Sequence, residues 1–338
     1  MIDIPGLNYR AHRYKEAYDQ LPQNLILGSE TASTVSSRGV YKFPVEDKKS
    51  ATYDDHQCSS YDVEACSWSN IPDEDFALAD DNHWTIGQFV WTGFDYLGEP
   101  SPYDTNAWPN HSSMFGIIDL ASIPKDRYYL YRSVWNKKAE TLHILPHWTW
   151  PGREGKVTPV FVYTNHPTAE LFINGKSYGK QSKNNSSLKN RYRLMWIDAV
   201  YEPGEIKVVA YNKDGKAVAE KIVRTAGKPH HIELVSNRNE LTADGKDLAY
   251  ITVKVVDKDG NLCPADSRQI NFSVKGAGKY RAAANGDPTN LEQFHLPKMH
   301  TFNGMLTAIV QSGETAGEIV LTAKASGVKA GNIRIQTK

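Results

Sequence analysis

A chain of 338 residues has room for two or three domains. Lys+Arg and Asp+Glu balance at 39 each, which excludes the basic footprint of a nucleic-acid binder and any pull toward an anionic membrane surface. With 40% hydrophobic and 23% charged residues it reads as a globular protein, and no apolar run approaches the ~20 residues that span a bilayer.

The first residues, MIDIPGLNYRAHRYK, have no basic region followed by an apolar one, so this stretch does not read as a signal peptide. Cys58, Cys66 and Cys263 lack metal-ligand spacing and read as small buried or free thiols, with a Cys58–Cys66 bridge as the minor alternative. No metal site and no cofactor are expected. Eight Trp and 18 Tyr concentrate the aromatics, most densely between Trp84 and Trp150. Such rings line sugar clefts or fill cores, and composition leaves both open.

Asn8 and Tyr9 close a short extended segment, and Ala11, Tyr14 and Tyr18 then share a helical face until Pro22. The stretch LILGSETAS follows, an apolar run that reads as a buried parallel strand and ends at one carboxylate, Glu30. The polar residues from Thr31 to Asp55 read as an active-site loop. Pro72 opens a short acidic helix, Asp73 to Asp80. A second apolar strand, Ile86 to Trp91, ends in Asp95 and Glu99, and Pro124 starts a last helix. Alternating strands and helices imply parallel pairing, with the chemistry at the C-terminal strand ends.

From about residue 139 period-two alternation takes over, as in Ala169, Leu171, Ile173 and Ile206, Val208, Ala210. Asn174-Gly175 and Asp214-Gly215 supply hairpin turns. A second alternating block follows the linker Thr225–Pro229, with Ala249, Ile251, Val253 and Val255, then Ile319, Leu321 and Ala323. The expected organisation is an α/β segment over 1–137 and two β-sandwiches over 138–227 and 228–338.

A carboxylate at a strand mouth is costly unless paired or used. With Tyr9 and Trp91 at neighbouring strand ends, Glu30 fits glycosidic cleavage: it attacks the anomeric centre, the phenol orients it, and the indole holds the sugar face. The bland alternatives are a helix cap or a pair with Arg38.

LILGSETAS and the later IGQFVWTGFDYLGEPSPY resemble the last part of the catalytic barrel of glycoside hydrolase family 2. The match is closest to β-galactosidase-like enzymes of Bacteroides type. MFGIIDLASIPKDRYYLYRSVW resembles the closing strand-to-helix segment, and HILPHWTWPGREGK the start of the following immunoglobulin-like domain. ANGDPTNLEQF and FNGMLTAIVQS resemble the family's C-terminal immunoglobulin-like domain. The resemblance implies a partial (β/α)8 TIM barrel, its last three βα units, followed by two immunoglobulin-like sandwiches. It implies a retaining exo-β-glycosidase, most closely a β-galactosidase, with Glu30 as nucleophile, Tyr9 orienting it and Trp91 as the subsite floor. Asn8, Asp95 and Glu99 belong to the same motifs as substrate-binding candidates, and His111 is a candidate for the mouth. For Asp95 the alternative is a bridge between loops, and for Glu99 a solvated rim charge.

The departures are informative. The family's acid/base glutamate follows an asparagine well before the nucleophile, and no Asn-Glu precedes Glu30. A complete barrel takes ~250 residues. The chain alone is therefore expected to be inactive. Its expected partners are the missing N-terminal part of the enzyme, other copies through open barrel edges, and a saccharide with a terminal β-galactoside. The alternative function is a non-catalytic carbohydrate-binding or assembly piece. Glucuronidases carry Asn-x-Lys where this chain has Ser113-Met114-Phe115, so uronic acids are disfavoured. The resemblance places the full-length enzyme in the periplasm or outside the cell.

Overall fold

The computed structural model describes residues 3–338. They form two compact units: one holds the chain up to Ile118 together with Pro124–Val223, the other Asp119–Ile123 together with Arg224–Lys338. The boundary expected at residue 137 is thus not a break in packing. Among the described residues the secondary structure is mostly β, with four short α-helices.

The first unit opens with a parallel sheet. Strand β1 (Gly6–Asn8) pairs with β2 (Ile26–Thr31), which pairs on its other side with β5 (Thr85–Val90). Helix α1 (Tyr14–Gln20) joins β1 to β2. Between β2 and β5 run the two-residue strands β3 (Lys48–Lys49) and β4 (Glu64–Ala65), then helix α2 (Pro72–Asp81). Pro72 sits in the first turn of α2, where a missing N–H costs nothing, and three acids follow it. Helix α3 (Asp126–Trp135) closes the segment.

The residues expected to form an open loop after Glu30 are packed instead: every residue from Thr31 to Arg38 is buried. Their polarity is internal wiring. Ser33 N–H donates to Ser69 Oγ at 2.8 Å, Thr34 Oγ1 donates to Asn70 O at 3.2 Å, and Ser60 Oγ donates to Ser37 O at 2.6 Å.

Two α2 acids are also buried. Asp75 accepts from Asn70 Nδ2 at 2.7 Å, yet burial pushes its carboxyl up to about 7. A folded-state value above the unfolded one means its contribution is fully present below about pH 4 and is lost as pH rises through about 7. Asp75→Asn should therefore match the parent at pH 4 and melt above it at pH 8. A thermal-melt series across that range checks this, and parallel curves would refute it.

The first sandwich stacks the sheet β10-β7-β6 on the sheet β12-β11-β8-β9. The strands are β6 (Leu142–Leu145), β7 (Val160–Thr164), β8 (Thr168–Ile173), β9 (Lys176–Ser182), β10 (Leu194–Trp196), β11 (Glu205–Tyr211) and β12 (Ala217–Arg224). Inward residues alternate as expected: Ala169, Leu171 and Ile173 face Val160 and Val162. Strand β7 is buried along its whole length because its two faces serve two cores. Val160 and Val162 enter the sandwich, while Phe161 and Tyr163 join Tyr61, Phe76, Leu130 and Tyr131 of the N-terminal segment. Only part of the aromatic concentration is core: Tyr103, Phe115 and Tyr131 are buried, whereas Phe89, Phe94, Trp108 and Trp135 are exposed. Trp148 is fully buried, its indole N–H donating to Glu202 O at 2.9 Å.

Helix α4 (Leu188–Tyr192) and the residue after it also tie the sandwich to the N-terminal segment. The Arg193 guanidinium forks onto Asp73, Nε donating to Oδ1 at 2.9 Å, with both side chains fully buried. Arg191 pairs with Asp81 at 2.8 Å.

The second unit is a sandwich of its own. Strands β13 (His231–Ser236), β15 (Leu248–Val256), β19 (Met305–Ser312) and β17 (Gly278–Ala284) form one sheet. Strands β14 (Glu240–Leu241), β21 (Gly331–Thr337), β20 (Gly317–Lys324), β16 (Gln269–Gly276) and β18 (Lys298–His300) form the other. Ile251, Val253 and Val255 from one sheet meet Ile319, Leu321 and Phe272 from the other. All three cysteines are free and buried.

Candidate active site

Parallel pairing brings three strand ends side by side. Asn8 is the register partner of Glu30, Tyr9 N–H donates to Glu30 O at 3.0 Å, and Trp91 N–H donates to Thr31 O at 2.9 Å. Tyr9, Glu30 and Trp91 thus sit together at the C-terminal end of one sheet.

Tyr9 has a left-handed backbone, φ 53°, which turns the chain sharply as β1 ends. Its phenol lies against the Glu30 carboxylate and the Ser33 hydroxyl. Burial, with the Glu30 and Glu99 charges adding to it, holds the phenol well above its ordinary pKa. It stays protonated and able to donate. Glu30 is half-buried: its backbone is locked in β2 while its side chain stays partly open to solvent.

Trp91 is half-buried on Val35, Met114 and Phe115. Its ring meets Tyr96 edge-on at 6.0 Å, and the Tyr96 hydroxyl donates to Glu99, which is exposed and has φ 48°. Asn8 is exposed, its Oδ1 accepting from Ser29 Oγ at 2.5 Å. His111 is half-buried and its Nδ1 is 3.1 Å from Pro109 O, while its own carbonyl accepts from Gly98 N–H at 2.8 Å.

Asp95 stands apart from this group. It is 8% exposed, its Oδ2 is 2.5 Å from Lys125 Nζ, and its Oδ1 accepts from Gly116 N–H at 2.7 Å. This geometry is the loop-bridging alternative, with a carboxylate turned into the protein. Lys125 also donates to Ser36 O at 2.7 Å, so the pair clamps the β2 loop to the residues after β5. Sequence reading missed Lys125 because it stands just before a helix, where lysines are usually solvated. It missed Tyr96 because one aromatic among many carries no signal.

Gly116 makes the clamp possible. A Cβ there would lie 2.2 Å from Asp95 N and 2.4 Å from Ile118 O, both backbone atoms that cannot swing aside. Gly116→Ala should cost about 1–3 kcal/mol, as overpacking does. A thermal melt reads it, and an unchanged midpoint would contradict the close approach.

Among the described residues no cluster of three or more His, Cys, Asp or Glu is arranged to hold a metal ion. No described helix is long and apolar enough to cross a membrane. The arrangement offers one accessible carboxylate, a neutral phenol beside it and an aromatic wall. That equipment suits nucleophilic attack at a sugar carbon.

Comparison with known proteins gives the family that the chain resembles. Residues 232–334 match the family model glycoside hydrolase family 2 C-terminal domain 5, and residues 155–219 match a domain of unknown function, DUF4982. The beta-galactosidase BoGH2A of Bacteroides ovatus is 39% identical over the whole of this chain and 39% of its own length. A putative beta-glucuronidase of Formosa agariphila is 34% identical over 74% of this chain and 24% of its own. Among solved structures, a beta-glycosidase from Bacteroides vulgatus superposes with TM-score 0.86 at 30% identity, over 99% of this chain and 45% of that one. The chain therefore spans well under half the length of the relatives it matches.

Proposed function

The chain belongs to glycoside hydrolase family 2, and on that premise we propose that it supplies the nucleophile half of a retaining exo-β-glycosidase acting on terminal β-galactosides. Glu30 attacks the anomeric carbon and forms a glycosyl-enzyme. The Tyr9 hydroxyl donates to Glu30 and aims its attacking oxygen, and Trp91 floors the sugar subsite. Asn8, Glu99 and His111 line the mouth. The observation that carries this reading is the Tyr9 phenol lying on a half-open Glu30 at the C-terminal end of parallel strands. Active sites of (β/α)8 barrels occupy that end.

In this reading β1, β2 and β5 are the sixth, seventh and eighth strands of such a barrel. Among the described residues each outer strand pairs only with β2, so two edges stay open, and on β5 Phe89 is 65% and Ile86 50% exposed. Open edges and bare apolar side chains invite pairing with more chain. The upstream part of the enzyme would close the barrel and bring the acid/base carboxyl to ~5–5.5 Å from Glu30, the retaining separation. Without it the chain is inactive, and copies are expected to self-associate through the same edges. Galactose is favoured over uronic acids because the buried Phe115 stands where a glucuronidase carries its lysine. The full-length enzyme is assigned to the periplasm or the outside of the cell, where such saccharides are met.

The test is covalent trapping. A 2-deoxy-2-fluoro-β-galactoside with a good leaving group should label the completed enzyme on the peptide carrying Glu30. Labelling of another carboxylate overturns the assignment. In the same enzyme Tyr9→Phe removes a hydrogen bond to a charged group, worth ~1.5–3 kcal/mol, so kcat/KM should fall about 10- to 100-fold. An unchanged value would remove Tyr9 from the site.

A further inference from the structure

The C-terminal sandwich carries a depression of about 430 Å3, within the size range of ligand pockets. It is walled by the Asn285–Glu292 loop on one side and by residues 300–303 on the other. We propose that it is a binding site for an uncharged saccharide, separate from and independent of the Glu30 assignment.

Charge is the first argument. The acids of the wall are engaged locally: Asp266 pairs with Arg268 at 2.7 Å, and Glu292 accepts from the His300 backbone N–H and lies 3.0 Å from its Nδ1. Asp287 is held by Thr289, whose N–H and Oγ1 both donate to its Oδ1. With three acids and Arg268 as the cation paired to one of them, the wall leans negative, which disfavours a phosphate, and its acids form no metal-holding cluster.

Available hydrogen-bonding capacity is the second. Asn290 Nδ2 has Met299 Sδ as its partner at 3.1 Å, and a thioether is a weak acceptor, so the amide gains from a ligand oxygen. His300 has Nδ1 fixed on Glu292 and a side chain 50% exposed, leaving Nε2 toward solvent. Leu291, 53% exposed, adds an apolar surface beside these groups. Mixed donors and acceptors next to a small apolar face are what a sugar ring with its hydroxyls and C–H face requires.

Calorimetric titration of the full chain with lactose and with methyl β-D-galactoside tests the site. Saturable binding is expected in the parent and in Glu30→Gln, weakened at least tenfold in Asn290→Ala and His300→Ala. Leu291→Ser, at an exposed position, should weaken it as well without moving the melting temperature, which separates binding from folding. Binding lost in Glu30→Gln but kept in Asn290→Ala and His300→Ala overturns the proposal, as does the absence of binding to either sugar. Stabilisation by calcium or inorganic phosphate that the Asn290 and His300 changes abolish overturns the neutral-ligand reading.

Discussion

Replacing Arg193 by Met should destabilise the first unit by about 3–5 kcal/mol, the usual consequence of leaving one partner of a buried ion pair alone. The guanidinium does more than meet Asp73. Its Nη1 donates to Tyr61 O and its Nη2 to Asp62 O, each at 3.1 Å. Removing it strands a fully buried carboxylate and two carbonyls that water does not reach. The double change Arg193→Met with Asp73→Leu removes both charges and should recover much of the loss. Thermal melts of the parent, the single and the double variant check both statements. A single variant within ~0.5 kcal/mol of the parent would mean that the sandwich and the N-terminal segment are separable modules. The shared core around Phe161, Tyr163, Tyr61 and Phe76 argues that they are not.

Glu30→Ala should abolish glycosidase activity in the completed enzyme by at least ~10^4-fold, the scale on which deleting a covalent nucleophile acts. Added azide should then restore turnover by attacking the anomeric carbon in the space left by the carboxylate. The product would be the glycosyl azide of inverted configuration, because only one displacement takes place. Glu30→Gln, which fills that space, should not be rescued. Rescue that yields retained product would make Glu30 the acid/base rather than the nucleophile, and a variant with near-parental rates would assign it a structural role.

What the sequence showed of this fold was whatever repeats locally. Ala169, Leu171 and Ile173, or Ala249, Ile251 and Val253, alternate because each strand has one face on a core, and a window of six residues contains that pattern. Strand β2 and the neighbourhood of Tyr9, Glu30 and Trp91 were legible because polar residues end apolar runs. The misreading lay where polarity was spent on long-range partners. Thr31 to Arg38 looked like a loop, yet their hydroxyls and amides bond residues 57–70 and 114. Asp73 looked like a helix-start charge, yet its partner is Arg193 across the sandwich boundary. Asp95 looked like a site carboxylate, yet Lys125 neutralises it inside the protein. Nothing in the local pattern of an acid tells which distant cation it meets. The continuous apolar run of β7 hid a similar fact, since burial on both faces reads the same whether a strand serves one core or two.

That the chain holds one half of a catalytic pair is tested most directly by its turnover of a chromogenic β-galactoside, alone and after mixing with the part of the Bacteroides ovatus relative that it does not match. No turnover alone, turnover on mixing, and its loss with Glu30→Gln are the predicted results. Turnover by the chain alone that Glu30→Gln abolishes would contradict the claim of an incomplete site, and activity on mixing that survives Glu30→Gln would contradict the nucleophile.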